Sequence, residues 1–142
     1  MRAELLARLR SDGFVPHFAG RVASESGTRA AIDWIERKSD EKAAFPAATL
    51  QMIHTGRQYD QDGAACLQLN RVRVECFGLS CLQATSLADA IRDVLEQCAT
   101  IFAVRFHRGK LLFERDFPPE DLGSGLKVYR NLRDYQVPTT PV

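Results

Sequence analysis

Residues 66–98 decide the predicted fold of this chain, and they run CLQLNRVRVECFGLSCLQATSLADAIRDVLEQC. In the first half, three apolar residues alternate with charged ones, namely Val72, Val74 and Cys76. This period of two predicts a β-strand over residues 66–77 with one buried face. Leu67 and Leu69 stand in the opposite phase. We therefore expect a bulge near Asn70–Arg71, or a strand that is buried on different faces along its length.

The second half of this stretch predicts a helix over residues 82–98. One apolar stripe repeats along it at helical spacing, made of Leu87, Ile91, Val94, Leu95 and Cys98. Ser80, just before the helix, is of a residue type that caps helix N-termini with its side-chain oxygen. Because the helix follows the long strand directly, we expect it to pack on the face formed by Val72, Val74 and Cys76.

The same two periods predict further elements on both sides of this stretch. The strands cover residues 49–54, 101–107, 111–117 and 126–137, and a first helix covers residues 3–11. We expect Pro118–Pro119 to end one strand and Pro138 to end the last, because proline cannot donate a ladder hydrogen bond. Residues 56–63, GRQYDQDG, are polar and predict a hairpin connection.

Residues 28–38 fit two interpretations. Helical spacing is shown by Ala31, Trp34, Ile35 and Lys38, whereas Ile32 and Trp34 also alternate as in a strand. The order of the predicted elements indicates one domain, residues 1–142, of the α+β class. We expect a single, mostly antiparallel β-sheet with helices packed on one face.

The composition disfavours several classes of protein. Lys and Arg number 19 against 18 Asp and Glu, whereas a dedicated nucleic-acid binder usually carries a basic excess. No apolar stretch is long enough to span a bilayer, and the N-terminal residues lack the apolar core of a signal peptide. We therefore expect folding in a cytoplasm, with the four cysteines reduced and buried as small hydrophobic residues.

No pattern of metal-binding or catalytic residues emerges. His17, His54 and His107 lie far apart, and the phosphate-binding glycine motifs are missing. Cys81 follows Ser80 at a predicted helix N-terminus, where a thiolate is favoured, but no histidine lies near it in sequence. We interpret it as a buried or half-buried cysteine, and we predict no metal, no cofactor and no enzyme activity.

Some charged residues admit two interpretations. Asp60 and Asp62 could do acid–base chemistry, but between two glycines such residues usually belong to a turn. Basic residues gather in two places, one with Arg105, Arg108 and Lys110, the other with Lys127, Arg130 and Arg133. They could be solvated strand faces that protect a sheet edge, or they could make protein contacts or a weakly positive inner surface.

A series of motifs in fixed order resembles one protein family. The series comprises Phe45–Pro46 before a strand, the loop Tyr59–Gly63, the strand Arg71–Phe77, the helix Ala84–Leu95 and the closing strand Val128–Tyr135. In this order they resemble the tail-completion (tail-terminator) proteins of long-tailed phages, prophages and gene transfer agents. The segment 23–44 is longer than the family pattern, and we interpret it as a lineage-specific insertion.

The resemblance implies a structural role without a reaction or cofactor. Such a subunit forms a ring, expected to be a hexamer, at the head-proximal end of the tail tube. There it ends tube polymerisation and contacts the tube protein and the head–tail connector or stopper protein. DNA only passes through the lumen, no membrane is involved, and the protein resides in the neck of the virion after assembly in the host cytoplasm.

Six residues are predicted to lie at a subunit or tube interface: Arg57, Tyr59, Asp60, Asp62, Arg130 and Arg133. The first four lie in the polar hairpin loop, where contacts are often carried. The last two lie on the terminal strand, which has no internal proline and could pair as an exposed sheet edge. The alternatives are another neck or head–tail adaptor protein of the same particle, and a small α+β ligand-binding domain or enzyme.

Overall fold

The computed structural model of this chain describes residues 1–61, 63–123 and 125–142, without the side chains at positions 60, 64 and 65. The helices of that part of the chain are α1 (Arg2–Ser11), α2 (Val15–Phe18) and α3 (Cys81–Leu95), and a short 3-10 helix covers Lys42–Ala44. The strands are β1 (Arg21–Ser24), β2 (Gly27–Ala30), β3 (Ile32–Trp34), β4 (Ala47–His54), β5 (Arg57–Asp60), β6 (Gly63–Gly78), β7 (Ala99–Ile101), β8 (Val104–Phe106), β9 (Lys110–Asp121) and β10 (Lys127–Pro141).

The α+β prediction is wrong, because the chain is mostly β: 50% of it is strand and 23% is helical. The main sheet has eight strands, is curled, and runs in the order β3-β4-β6-β10-β8-β7, with β5 paired to β6 and β9 paired to β10. It is mixed, since β3 pairs with β4 in parallel. A separate two-stranded sheet is formed by β1 and β2. A single antiparallel sheet with helices on one face therefore does not describe this fold.

The long strand predicted over residues 66–77 is confirmed as part of β6. It is antiparallel to β4 on one side and to β10 on the other. The expected irregularity is also present, but the extra residue lies on the partner strand. Met52 pairs with Val72 and His54 pairs with Arg71, so that Ile53 of β4 bulges opposite the predicted site. Beyond this point β4 gives way to β5 as the neighbour of β6.

Helix α3 lies on the sheet as the apolar stripe predicts, and its start is capped by Ser80. The Ser80 hydroxyl accepts a hydrogen bond from the backbone N–H of Gln83 at 3.2 Å. Leu87, Ile91 and Leu95 are fully buried in the core that this helix forms with the sheet and α1. The helix ends before Cys98, which is exposed, as are Cys66 and Cys81. The expected burial of the cysteines thus holds for Cys76 alone.

Helix α1 is confirmed and packs Leu5 and Leu9 into the same core. Arg8 of the same helix is also buried. Its guanidinium donates to the carbonyl oxygens of Val94 and Gln97. These carbonyls lie at the C-terminal end of α3, where helix carbonyls lack partners within the helix. One side chain thereby ties the first helix to the last turn of α3.

Two predicted strand ends are wrong, because the prolines lie where the ladder tolerates them. β9 continues through Pro118–Pro119, since its register with β10 shifts there and leaves the prolines at a bulge. β10 continues through Pro138, where its neighbour changes from β9 to β8. The terminal strand is therefore no sheet edge: β10 is central, and in the described residues β9 pairs with β10 alone.

The ambiguous stretch 28–38 is extended, with β2 ending at Ala30 and β3 covering Ile32–Trp34. The alternation of Ile32 and Trp34 was thus the correct signal. Together with the 3-10 helix, this region covers one end of the sheet face that α1 and α3 leave free. There a second apolar cluster is formed by Val22, Ala31, Ala44, Phe45, Ala47, Phe77 and Val128. The segment 23–44 therefore carries part of a small core, and its lineage-specific origin stays a prediction.

Candidate assembly surfaces

The face of the sheet opposite α3 is rich in arginine. Residues paired across antiparallel strands share a face, and the registers of β6, β10 and β9 therefore bring eight charged residues together. They are Arg71, Arg73, Lys110, Arg115 and Arg130, with Glu75, Glu120 and Asp134. Five positive charges thus meet three negative ones, and we call this set the basic face. The sequence showed the arginines, but the strand register was needed to place them together.

Asp134 organises the centre of the basic face. It is fully buried, and its carboxylate accepts hydrogen bonds from Arg71 at 2.7 and 3.1 Å and from Arg73 at 2.8 and 3.1 Å. Burial by itself would raise the pKa of Asp134, but the hydrogen bonds from Arg73 and Arg71 outweigh it and hold this pKa below its ordinary value. Both guanidiniums are partly exposed. One carboxylate therefore fixes two cations that still reach solvent.

Aromatic side chains accompany the cations on the outer strand β9. The ring centroid of Phe117 lies 3.9 Å from the Arg130 guanidinium carbon and 5.0 Å from that of Arg115. Such stacking is favourable and restrains both arginines. Phe113, further along β9 and paired with Asp134, is a large hydrophobic residue that remains exposed. This part of the basic face combines cations with apolar surface, as protein interfaces often do.

Arg133 lies on the other face of β10, beneath α3. Only 3% of its side chain is exposed, and its guanidinium lies 2.8 Å from a carboxylate oxygen of Asp89 and 2.8 Å from one of Glu114. Burial opposes the charged form, but the neighbouring acceptors and negative charges prevail and raise the pKa of Arg133. Within one chain, Arg133 thus joins α3 and β9 to the central strand.

An acidic groove lies on the helical side of the molecule, between α2 and α3. It has a volume of about 480 Å³ and is lined by Asp12, Phe14, Phe18, Ser86, Asp89, Ala90, Asp93, Val94 and Gln97. Phe14 is 74% exposed, although it begins the short helix that packs on α3. The Asp12 carboxylate holds this turn by accepting hydrogen bonds from the backbone N–H groups of Phe14 and Val15 at 2.9 and 3.0 Å.

The charge around this groove is predominantly negative. Asp12, Asp89 and Asp93 line it, and Glu96 lies beside Phe14 and Asp93 at its outer end. The neighbouring cations are Arg92, which lies 3.4 Å from Asp89 and from Asp93, and Arg133, which lies 2.8 Å from Asp89. Sequence reasoning missed this groove, because only the docking of α2 brings Phe14 beside α3. The available signal was the sequence Asp12-Gly13-Phe14, an apolar residue directly after a turn.

The structure separates the six predicted interface residues into three places. Arg57 and Tyr59 lie on β5, where Tyr59 is exposed and its ring centroid lies 5.8 Å from the Arg57 guanidinium carbon. Asp60 ends β5, but its side chain is not described, and Asp62 lies outside the described residues. Arg130 belongs to the basic face, whereas Arg133 is buried on the helical side. The interface role of all six stays a prediction.

The described residues offer little for metal or membrane chemistry. Among residues 1–61, 63–123 and 125–142, no three His, Cys, Asp or Glu side chains cluster in a way that could hold a metal ion. Within the same ranges, every helix is too short or too polar to cross a bilayer.

This fold is shared with a chain in the virion of a native gene transfer agent (GTA) particle. The two chains align over 100% of this chain and 95% of the other, with a TM-score of 0.59 and 15% sequence identity. No protein-family model matches the sequence, and no curated protein does. At this identity the likeness is one of fold, and it extends over the chain from end to end.

Proposed function

We propose that this chain is a structural subunit of a phage-like particle. More specifically, it is a tail-completion subunit that forms a ring, most simply a hexamer, at the head-proximal end of the tail tube. There it ends tube polymerisation and joins the tail to the head. Its partners are further copies of itself, the tube protein and the connector or stopper protein, and it resides in the neck of the virion.

The observation that carries this proposal is the end-to-end likeness to a chain of the GTA virion. That likeness supports a virion protein, and the ordered series of sequence motifs supports the tail-completion role within the virion. The surfaces fit such a role, because the described residues present a basic face and an acidic groove. A subunit with two surfaces of opposite charge is suited to contact neighbours in a larger assembly.

The predicted interface residues take different roles within this proposal. Arg57 and Tyr59 of β5, together with Asp60 and Asp62, contact a neighbouring subunit or the tube. Arg130 contributes through the basic face. Arg133 contributes indirectly, because it holds Asp89 in the wall of the acidic groove. The lumen of the ring passes DNA without reading its sequence.

The test is deletion of this coding sequence from the genome that encodes the particle, followed by electron microscopy. We expect tails of uncontrolled length, or tails and heads that fail to join, and complementation by the intact gene should restore joined particles. Antibody labelling of restored particles should mark the junction of tail and head, with several copies per particle. Normal particles after deletion, a single copy per particle, or label at the head vertex alone would overturn the proposal.

A further inference from the structure

We propose that neighbouring subunits join head to tail, with the basic face of one copy at β9 seated in the acidic groove of the next copy. This inference rests on the proposed function, since it names the contact that builds the ring. The occupant of the groove is thus a second copy of this chain. The two surfaces match in charge, in aromatic content and in their placement on the molecule.

The charges of the two surfaces are opposite. Four carboxylates surround the groove, at Asp12, Asp89, Asp93 and Glu96, and two guanidiniums neighbour them, Arg92 and Arg133. The basic face carries an excess of cations, and Arg115 and Arg130 lie closest to its aromatic end. Opposed potentials of this kind steer association and suppress wrong pairings.

Both surfaces also carry apolar side chains that the single chain leaves exposed. In the groove these are Phe14 and Phe18, and on the basic face it is Phe113 of β9, the partner of Asp134. Aromatic residues beside arginines are typical of the residues that dominate interface energies. An acidic groove with aromatic walls therefore fits a strand whose side chains alternate between aromatic rings and guanidiniums, as Phe113, Arg115 and Phe117 do.

The two surfaces lie on opposite sides of the molecule, and this determines the type of assembly. The groove is formed by α2 and α3, which cover one face of the sheet, whereas the basic face is the other side of that sheet. Each copy therefore presents its basic face to one neighbour and receives the basic face of its other neighbour in its acidic groove. A contact of this kind, between two different surfaces, is heterologous. Such a contact repeats until it closes into a ring or grows into a filament.

Two charge-reversed variants test the contact in particles. The groove variant carries Asp93→Lys and Glu96→Lys, and the face variant carries Arg115→Glu and Arg130→Glu. All four side chains reach solvent, and circular dichroism with urea unfolding checks that each variant folds. Each variant alone places like charges across every contact. We therefore expect each alone to reduce the yield of joined particles at least tenfold when it complements the deletion.

Co-expression of the two variants is the decisive experiment. In a mixed ring, the lysine groove accepts the glutamate face and the native groove accepts the native face, so that alternating copies restore every contact. We expect joined particles to recover, with the two variants present in equal amounts by mass spectrometry. The matched control reverses the charges of Arg105 and Glu36, two exposed residues outside both surfaces, and should complement the deletion normally.

The remaining outcomes are equally informative. Full complementation by either variant alone, or no recovery on co-expression of two folded variants, overturns the contact. Failure of the face variant alone, with a normal groove variant, shows that the basic face has another occupant and also overturns it. A deletion that leaves normal particles refutes the proposed function itself, so the two failures are distinguishable.

Discussion

Arg133 and Asp134 are consecutive residues of β10 that point to opposite faces of the sheet, and their surroundings mirror each other. Beneath α3, a buried guanidinium is held by two partly exposed carboxylates, Asp89 and Glu114. On the basic face, a buried carboxylate is held by two partly exposed guanidiniums, Arg71 and Arg73. Each central charge thus has two partners that solvent also reaches.

The difference between the two clusters lies in what happens when the partners are lost. A carboxylate can become neutral by taking up a proton, whereas a guanidinium stays charged at every accessible pH. The cluster around Asp134 therefore has a way to relieve a buried charge, and the cluster around Arg133 has none. The helical side should therefore be the more sensitive one, although each cluster has one buried charge and two partners.

The largest effect is expected when Arg133 loses both carboxylates. The variant Asp89→Asn with Glu114→Gln keeps the side-chain shapes but leaves a buried guanidinium without a counter-charge. Uncompensated buried charges of this kind cost about 3–5 kcal/mol. Urea unfolding at pH 7 measures the loss. If this variant loses less free energy of unfolding than the variant Arg71→Gln with Arg73→Gln, the two clusters do not differ as described.

The matching change on the basic face is Arg71→Gln with Arg73→Gln. At pH 7 this change should lower the free energy of unfolding by less, about 2–3 kcal/mol. The reason is that Asp134 can take up a proton, which limits the penalty for an unpaired buried acid. The loss should shrink as the pH falls, because burial without the arginines raises the pKa of Asp134. Urea unfolding between neutral and acidic pH measures this slope, and a loss that grows towards acid would contradict the argument.

A smaller effect is expected for Asp134→Asn, because the arginines left behind can hydrate. We expect a loss of about 1–2 kcal/mol at neutral pH, the range of hydrogen bonds to charged groups. The pKa of Asp134 is held below its ordinary value of 3.8, so this stabilisation is fully present above that value and is lost as the pH falls through the folded pKa. Wild type and variant should therefore converge in strong acid. A constant difference across that range would assign the stabilisation to another group.

The smallest effect is expected for Arg130→Gln. Arg130 lies 3.9 Å from Glu75, and both are partly exposed. Pairs of this kind contribute less than about 1 kcal/mol. Thermal melting should therefore be almost unchanged, which makes this position suitable for separating assembly from folding. A large shift in melting would show that the stack with Phe117 holds β9 in place.

The sequence predicted those elements whose signal is local. Ile91 and Leu95 repeat at helical spacing and Val72 and Val74 at strand spacing, and these patterns suffice for α3 and β6. The position of a strand within the sheet is not local. For that reason the strand ends predicted at the prolines were wrong. Pro138 lies in a central strand at the point where the neighbours of that strand change, and no sequence pattern around it reveals this.

The same limit applies to the candidate surfaces. The arginines of β6 were visible in sequence, but their shared acid, Asp134, lies 61 residues beyond Arg73 and becomes its partner only through the strand register. Arg133 was predicted at an interface because it is a cation on the last strand. Its burial depends on α3 covering that face of β10, and the sequence could not show where α3 would lie over it.

The central place of β10 has a consequence for the order of synthesis. The strand that joins β6 to β8 and β9 follows all three along the chain and therefore leaves the ribosome after them. Until residues 127–141 are made, β6 has a bare edge along most of its length, and Arg71 and Arg73 lack their shared carboxylate. A chain cut short before residue 127 by a nonsense codon therefore cannot complete the sheet.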